Sequence, residues 1–292
     1  MNFLDFIKKN NFVILDGAMG TELERRGSPG GPRSNLINPE KVIEIHKDYI
    51  NAGSHAIITN TFGMNRIYIQ THDLKIEVEE VNRKGVFLAK TAAQDKVFIL
   101  GNISSTGQLL EPYGSYKEKD FYEAFKEQAS YLLEEGVDGF IIETITDLRE
   151  GIWALRACKD TSNLPTIVSM SFHTDKNGGR TIMGDSVRDC ALQLSKEGAD
   201  IIGTNCGELT PLEMANVVSI FKNMTSLPII AEPNAGKPEI REGKTFYMNP
   251  ENFAISTLEC YKRGATLIGG CCGTTPEHIK ILSSLILKES QS

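Results

Sequence analysis

Short apolar runs recur along the chain and alternate with segments of helical pattern. Each run has about five to seven residues rich in Ile, Val and Leu, and each ends in polar residues or glycine. There are eight of them: FVILDGA, HAIITNTF, VFILGNIS, GFIIET, TIVSMSF, IIGTNC, PIIAEPN and TLIGGCC. Near-continuous apolar strands that alternate with helices are typical of a parallel sheet covered on both faces.

The segments between the runs predict helices. Examples are EVEEVNRKGVFLAKTAAQ and FYEAFKEQASYLLEEG, and several others end in a charged residue and a glycine before the next strand, as in EEGVD, KEGAD and KRGAT. A helix-to-strand connection favours these residues. Eight strand–helix units in 292 residues predict a single-domain α/β protein, a (β/α)8 TIM barrel. A doubly wound open sheet is the alternative, but no glycine-rich dinucleotide fingerprint follows the first strand.

Two connections are longer than a barrel requires. They span residues 27–34 and 237–250, and each follows the motif at the end of a strand. Long loops in this position are often functional. We therefore expect both to cover the mouth of the barrel.

Composition and charge limit the classes of partner. The net charge of −7 argues against nucleic acid and against an anionic membrane. No apolar run approaches the roughly 20 residues that span a bilayer. The N-terminal MNFLDFIKKNN lacks the apolar core and cleavage site of a secretory signal. We therefore expect a cytoplasmic protein with reduced cysteines.

Three of the six cysteines lie at strand ends, where TIM barrels place catalytic residues. Cys206 ends the sixth run, and the adjacent pair Cys271 and Cys272 ends the eighth. Adjacent cysteines do not readily bridge each other, because a disulfide needs a larger separation of Cα atoms. The other three lie in helical patterns, where buried packing residues are expected: Cys158, Cys190 and Cys260.

Three converging thiolates indicate a zinc site. Thiolates disfavour hard cations, and an iron–sulfur cluster usually needs four cysteines. Zinc with three protein ligands keeps a fourth position open for substrate. It holds a thiol as thiolate near neutral pH, which suggests thiol alkylation or water activation. Spacing alone does not separate such a site from three packed cysteines.

Several motifs in this order resemble the homocysteine S-methyltransferase family: DGAMGTEL, TNTFG, the ET of the fourth run, GTNC, EPNAGKP and GGCCGTTPEH. They are most similar to the homocysteine-binding domain of cobalamin-dependent methionine synthase, and they extend from Asp16 to His278. The resemblance implies a (β/α)8 barrel whose zinc ligands and catalytic residues are Cys206, Cys271 and Cys272. It also implies that zinc takes the homocysteine sulfur as a fourth ligand, and that the thiolate accepts a methyl group to give methionine.

The resemblance also implies anchors for the amino acid part of homocysteine. Asp16 and Glu143 are the candidates for its ammonium group. The residues themselves leave other roles open. Asp16 is equally placed to cap a helix, and Glu143 to be the buried partner of an Asn or Arg on a neighbouring strand.

Backbone N–H groups are the candidates for the substrate carboxylate. They belong to the turn of Gly17 and Ala18 and extend to Thr21, and a glycine-containing turn that opens a helix presents unpaired N–H groups. Asn234 is expected near the zinc or the donor, with a plain turn residue as the alternative. Asp147 is expected to cap the fourth helix rather than to orient Glu143.

One turn departs from the methionine synthase type. After the third strand that type usually reads close to Gly-Asp-Ile-Gly-Pro-Thr-Gly, whereas residues 101–107 here read GNISSTG. Asn102 replaces the acid, and Ser104 and Ser105 replace Gly-Pro. The change bears on the substrate or on the approach of the donor, and not on the zinc ligands.

No motif for binding cobalamin or folate is visible in the chain. The family includes enzymes that use betaine, S-methylmethionine or methylcobalamin, and ETITD and PNAGKP are most similar to the cobalamin type. This implies methylcobalamin or another methylcorrinoid as donor, on a separate corrinoid protein or on the cobalamin and folate domains of a longer enzyme. The alternatives are a betaine or S-methylmethionine donor, another small thiol or selenol as acceptor, and a non-catalytic zinc-binding barrel subunit.

Overall fold

The eight apolar runs all contribute parallel strands to one sheet. The structure is a computed structural model that describes residues 1–241 and 244–291. The strands of the sheet are β1 (Val13–Ile14), β2 (Ala56–Ile58), β3 (Phe98–Ser104), β4 (Gly139–Ile145), β5 (Thr166–Met170), β6 (Ile201–Asn205), β7 (Ile229–Glu232) and β10 (Leu267–Ile268). They are hydrogen-bonded in the order β1-β10-β7-β6-β5-β4-β3-β2. This nearly closed ring confirms the predicted single-domain TIM barrel and excludes an open doubly wound sheet.

Helices connect the strands around the ring. They are α1 (Phe3–Asn10), α2 (Gly20–Arg25), α3 (Ser34–Ile37), α4 (Pro39–Asn51), α5 (Arg66–Thr71), α6 (Val78–Ala93), α7 (Glu118–Glu134), α8 (Leu148–Thr161), α9 (Val187–Lys196), α10 (Pro211–Met224), α11 (Pro250–Lys262) and α12 (Pro276–Glu289). As predicted, Asp147 caps α8 by accepting a hydrogen bond of 2.9 Å from the N–H of Arg149. Within the described ranges, no helix combines the length and the apolar character needed to cross a lipid bilayer.

The ring closes between β1 and β2 through side chains as well as backbone. The N–H of His55 donates to the carbonyl of Ile14 at 2.7 Å, and the N–H of Ile14 donates to Nδ1 of His55 at 3.1 Å. The N–H of Ile58 donates to Oδ2 of Asp16 at 2.9 Å. The carboxylate of Asp16 therefore serves as a strand partner at this seam.

The N-terminal helix closes the floor of the barrel. Helix α1 buries Phe3 and Ile7 against the inward-facing apolar residues of the strands, such as Leu100, Ile141 and Ile230. The amphipathic pattern of the first residues explains this packing, because one apolar stripe covers the barrel while the charged face stays in water. Polar inward-facing residues such as Asn102, Glu143 and Glu232 lie above this floor, toward the carboxyl ends of the strands.

The two long connections both reach the carboxyl ends of the strands. Gly31 and Pro32, in the loop of residues 27–34, line the central cavity, which agrees with the predicted position at the mouth. The second loop contains an unpredicted antiparallel hairpin of β8 (Glu239–Arg241) and β9 (Lys244–Phe246). Residues 242 and 243 of this loop lie outside the described residues, so its covering role stays a prediction.

Candidate functional site

The barrel interior changes from apolar to polar toward the strand ends. Ile141 of β4 packs into the floor, and Glu143, two residues later, lines a cavity of about 370 Å³. Strand β7 shows the same change, because Ile230 packs into the floor and Glu232 lines the cavity. Side chains two apart on a strand face the same side, so this change places acidic groups directly above the apolar floor.

Three cysteines meet at one side of this cavity. The sulfurs of Cys206, Cys271 and Cys272 all lie within 4.8 Å of one another. Sγ of Cys206 lies 3.9 Å from Sγ of Cys272. Tetrahedral zinc with Zn–S bonds of about 2.3 Å needs sulfurs about 3.8 Å apart. The donor set and its spacing therefore fit a zinc ion with three protein ligands.

Backbone hydrogen bonds between strand ends fix these cysteines. The N–H of Cys206 donates to the carbonyl of Glu232 at 3.1 Å, and the N–H of Cys271 donates to that of Pro233 at 2.9 Å. The chain then turns sharply at Gly207, which has a φ of +70° and whose Cβ would lie 2.5 Å from the carbonyl oxygen of Phe172. Only glycine satisfies both conditions, so the turn after Cys206 depends on it.

Mutual hydrogen bonding polarises the three thiols. Hydrogen bonds from Cys206 and Cys271 lower the pKa of Cys272 to about 3. Hydrogen bonds with Cys206 and Cys272 in turn hold the pKa of Cys271 well above its usual value. A thiolate at Cys272, supported by two neighbouring sulfurs, favours the entry of a soft cation.

Asp16 lies in the cavity wall and is 3% exposed. Burial raises its pKa well above the usual value, although the hydrogen bond from the N–H of Ile58 opposes this. Helix α2 has Met19 at its N-cap and no side-chain capping bond. The alternative role of Asp16 as a helix cap is therefore wrong, and its carboxylate links β2 and the cavity instead.

Glu143 is the partner of two asparagines on neighbouring strands. Oε1 accepts a hydrogen bond of 2.6 Å from Nδ2 of Asn102, and Oε2 accepts one of 2.9 Å from Nδ2 of Asn205. Burial, and then the charge of Cys206, raise the pKa of Glu143 to about 7. The alternative of a buried Asn partner is confirmed. The same carboxylate lines the cavity, so the two roles are compatible.

The turn before α2 and the first turn of that helix also line the cavity, with Gly17, Ala18 and Thr21. The N–H of Ala18 already donates to Oγ1 of Thr274 at 3.0 Å. The first backbone bond of α2 runs from Leu23 to Met19, so the N–H groups of Gly20 and Thr21 precede it. The groups that suit a carboxylate are therefore those toward Thr21, whereas Ala18 has a partner within the protein.

Asn234 lies beside the Cys206 turn. Its Nδ2 donates to the carbonyl of Gly207 at 2.9 Å, and its Oδ1 is buried without a hydrogen-bond partner. The side chain lines a smaller adjoining cavity of about 210 Å³ rather than the central one. Its role near the metal or the donor stays a prediction.

Asn102 and Glu232 are polar residues of the central cavity to which the sequence analysis assigned no role. Asn102 is the hydrogen-bond donor to Glu143, and Glu232 contributes a third buried carboxylate beside Asp16 and Glu143. Their only signal in the sequence is their place at the ends of the third and seventh strands. The residues that line this cavity include no lysine, arginine or histidine. The described lining of the site therefore offers acidic groups and no cationic side chain.

A family profile matches nearly the whole chain. The profile of the homocysteine S-methyltransferase family covers residues 13–286. The chain belongs to this family. The match includes every cysteine of the cluster, and it confirms the resemblance inferred from the strand-end motifs.

Individual relatives of the family differ in the chemistry that their names state. The chain is 27% identical over 298 residues to a methionine synthase of Mycobacterium leprae, covering 94% of this chain and 24% of that protein. It is 29% identical over 300 residues to the homocysteine S-methyltransferase YbgG of Bacillus subtilis, covering 93% of each. It is 27% identical over 311 residues to betaine–homocysteine S-methyltransferase 1 of Danio rerio, covering 98% of this chain and 76% of that protein. The chain thus spans about a quarter of the methionine synthase that it matches.

A family member of known structure has the same fold. The metallated form of the homocysteine methyltransferase MmuM from Escherichia coli superposes with a TM-score of 0.80 at 22% identity. The superposition covers 96% of this chain and 98% of that one. At this identity the likeness supports the barrel fold alone.

Proposed function

We propose that this protein is a zinc-dependent homocysteine S-methyltransferase that forms methionine. The observation that carries the proposal is the cluster of Cys206, Cys271 and Cys272 sulfurs, all within 4.8 Å, beside an acidic cavity. Zinc bound there would keep one position open and would hold the substrate sulfur as a thiolate, the nucleophilic form, whereas a free thiol is mostly protonated at neutral pH.

The acidic residues of the cavity suit the ammonium group of an amino acid. Asp16 and Glu143 both line the cavity, and burial raises the pKa of each carboxyl group. An ammonium group that enters between them favours their charged forms and so restores their negative charge. The amino acid part is then held while the sulfur faces the cysteines. This orientation supplies the fixed distance and angle that an in-line displacement requires.

A methylcorrinoid carried by a separate protein or domain is the methyl donor that we propose. The support is the match to methionine synthases, in which this chain corresponds to 24% of the length. Betaine is the second candidate, because betaine–homocysteine S-methyltransferase 1 is equally similar at 27% identity. Assays with methylcobalamin, betaine and S-methylmethionine in parallel decide between them. Transfer from betaine or S-methylmethionine without transfer from methylcobalamin would overturn the corrinoid proposal.

The turn of residues 101–107 motivates a second acceptor, another small thiol or selenol. Its substituted residues have partners within the protein. Oγ of Ser104 accepts from the N–H of Gly63 at 2.7 Å, and Oγ of Ser105 donates to Oε2 of Glu150 at 2.8 Å. The serines therefore stabilise the turn itself, and homocysteine stays the preferred acceptor. A panel of thiols tests this choice.

Zinc-edge X-ray absorption with and without L-homocysteine tests the proposal directly. We expect a shell of three sulfurs and one light atom that becomes four sulfurs when homocysteine binds. A zinc coordination shell that stays the same when each thiol is added would favour the non-catalytic zinc-binding barrel. If the protein binds no zinc even when its cysteines are kept reduced, the proposed mechanism is wrong.

A further inference from the structure

Glu232 is a buried carboxylate without a partner for one of its oxygens. The residue is 2% exposed at the end of β7, and Oε2 is buried with no hydrogen-bond partner. Its side chain lines the central cavity. Leaving a buried charged group unpaired costs free energy, so such a group indicates a missing partner.

The other two acids of the cavity have partners from the protein. Asp16 accepts from the N–H of Ile58, and Glu143 accepts from the amides of Asn102 and Asn205. The carboxylate of Glu232 is therefore the one that most needs a donor from outside the chain. Since the described residues that line the cavity include no lysine, arginine or histidine, a ligand bound beside the proposed zinc is a source of positive charge for this carboxylate.

The cavity of about 370 Å³ that Asp16, Glu143 and Glu232 all line leaves space for a ligand beside these acids. A Cβ atom at Gly269 would lie 2.7 Å from the carbonyl oxygen of Asp16 and 3.4 Å from Oε1 of Glu232. The glycine therefore lets the chain pass close to Asp16 and Glu232 just after β10, so that both residues reach the same cavity.

An alkylammonium group has three N–H donors, like the side chain of lysine. Asp16, Glu143 and Glu232 offer one carboxylate acceptor for each of them. We propose that Glu232 is the third anchor of the substrate ammonium, and that it makes the site selective for α-amino thiols over thiols that lack the amine. This inference rests on the proposed function and adds a specificity-determining residue to it.

The test compares two ligands on zinc-loaded protein by calorimetry. L-Homocysteine carries the amine, and 4-mercaptobutanoate is the same molecule with the amine replaced by hydrogen. In Glu232→Gln, which keeps shape and loses charge, we expect homocysteine to bind about 10- to 100-fold more weakly, as for a lost hydrogen bond to a charged group. The affinity for 4-mercaptobutanoate should change less than about twofold. Glu232→Asp, which withdraws the carboxylate, should show the same selectivity in case the first variant does not fold.

Glu208→Gln is the matched control. Glu208 is an acid whose side chain is 61% exposed on the loop after Cys206, and its charge is screened by solvent. Removing the charge of Glu208 should leave the affinities for homocysteine and for 4-mercaptobutanoate unchanged. Zinc content and thermal unfolding of each variant report on the integrity of the site.

Three outcomes would overturn the proposal. An unchanged affinity of both Glu232 variants for homocysteine would exclude a contact with the ammonium group. An equal loss for both ligands would show that Glu232 supports the zinc site or the fold rather than the amine. Wild-type protein that binds neither thiol would overturn the proposed function and this inference together, and that result differs visibly from a selective failure at Glu232.

Discussion

The side-chain amide of Asn102 donates a hydrogen bond of 2.6 Å to Oε1 of Glu143. Asn205 donates to the other oxygen at 2.9 Å, so amides from β3 and β6 hold the carboxylate from both sides. An acid at position 102 would repel Glu143, whereas the amide orients it toward the cavity. The substituted turn of residues 101–107 thus supplies a donor to a candidate substrate anchor.

Replacing Asn102 should weaken the binding of homocysteine. Asn102→Leu keeps a similar volume and removes one of the two donors to Glu143, which raises the pKa of that carboxyl further. We expect about tenfold weaker binding, in line with a lost hydrogen bond to a charged group. Calorimetry on zinc-loaded protein measures this. Asn216→Leu is the control, because that amide donates to Asp175 outside the cavity. Equal affinities of wild type and Asn102→Leu would contradict the role of Asn102.

Each cysteine of the cluster should be needed for zinc. Serine is a much poorer zinc ligand than a thiolate, so Cys206→Ser, Cys271→Ser and Cys272→Ser should each lower the zinc content to less than half of about one ion per chain. Elemental analysis after dialysis against a weak chelator measures the content. Cys158→Ala is the control, because this buried residue of α8 lies outside the cluster. The assignment would be wrong if a cluster variant kept its zinc as well as the control does.

His46 should make the protein less stable in acid. The ring is fully buried in α4, neither nitrogen has a hydrogen-bond partner, and burial lowers its pKa to about 4. In the unfolded chain the pKa is about 6.5, so between these values the unfolded state binds the proton and stability falls as pH falls. At pH 5 this amounts to about 2 kcal/mol relative to neutral pH.

His46→Met isolates this contribution. Urea unfolding at pH 7 and pH 5 should show a smaller loss of stability in the variant, and the difference between the two proteins is the effect of His46. Other titrating groups are present in both proteins and cancel. Parallel pH profiles of the two proteins would mean that His46 has a partner or stays hydrated.

Gly203 should tolerate no side chain. A Cβ atom there would lie 2.0 Å from the carbonyl oxygen of Ile230 in the adjacent strand β7. Gly203→Ala must therefore separate β6 from β7, at a cost of about 2 to 3 kcal/mol of unfolding free energy. Gly20→Ala is the matched control, because nothing lies within 4 Å of that Cβ position at the start of α2. Its stability in urea should equal or slightly exceed that of wild type, and similar losses in both variants would contradict the packing argument.

Residues whose role follows from local pattern were predictable from the sequence. Apolar runs that end in polar groups placed Glu143, Cys206 and Cys271 at strand ends, and a parallel barrel brings all such ends to one rim. The position of Asp147 before a helical pattern was enough to predict a cap. These inferences need only the spacing of apolar and polar residues along the chain and the direction of the strands.

Residues whose role depends on distant side chains were not predictable. The sequence shows Glu232 at a strand end, but whether its Oε2 finds a hydrogen-bond partner depends on which groups the other strands place beside it. The same holds for Asp16, a candidate substrate anchor for which a helix cap was the alternative, and which accepts a hydrogen bond from the N–H of Ile58 in β2. Strands β1 and β10 are shorter than predicted, because beyond Ile14 and Ile268 the contact between them reduces to isolated bonds such as that from Gly270 to Asp16.

The apolar floor beneath the cavity has a kinetic consequence. Phe3 and Ile7 of α1 close the lower end of the barrel, so in the described part of the chain the mouth is the route into the cavity. In the proposed function, an acceptor bound deepest, against the acids, would have to arrive before the methyl donor. The product would then leave only after the demethylated donor. We therefore expect a compulsory order of binding and release, with the amino acid first in and last out.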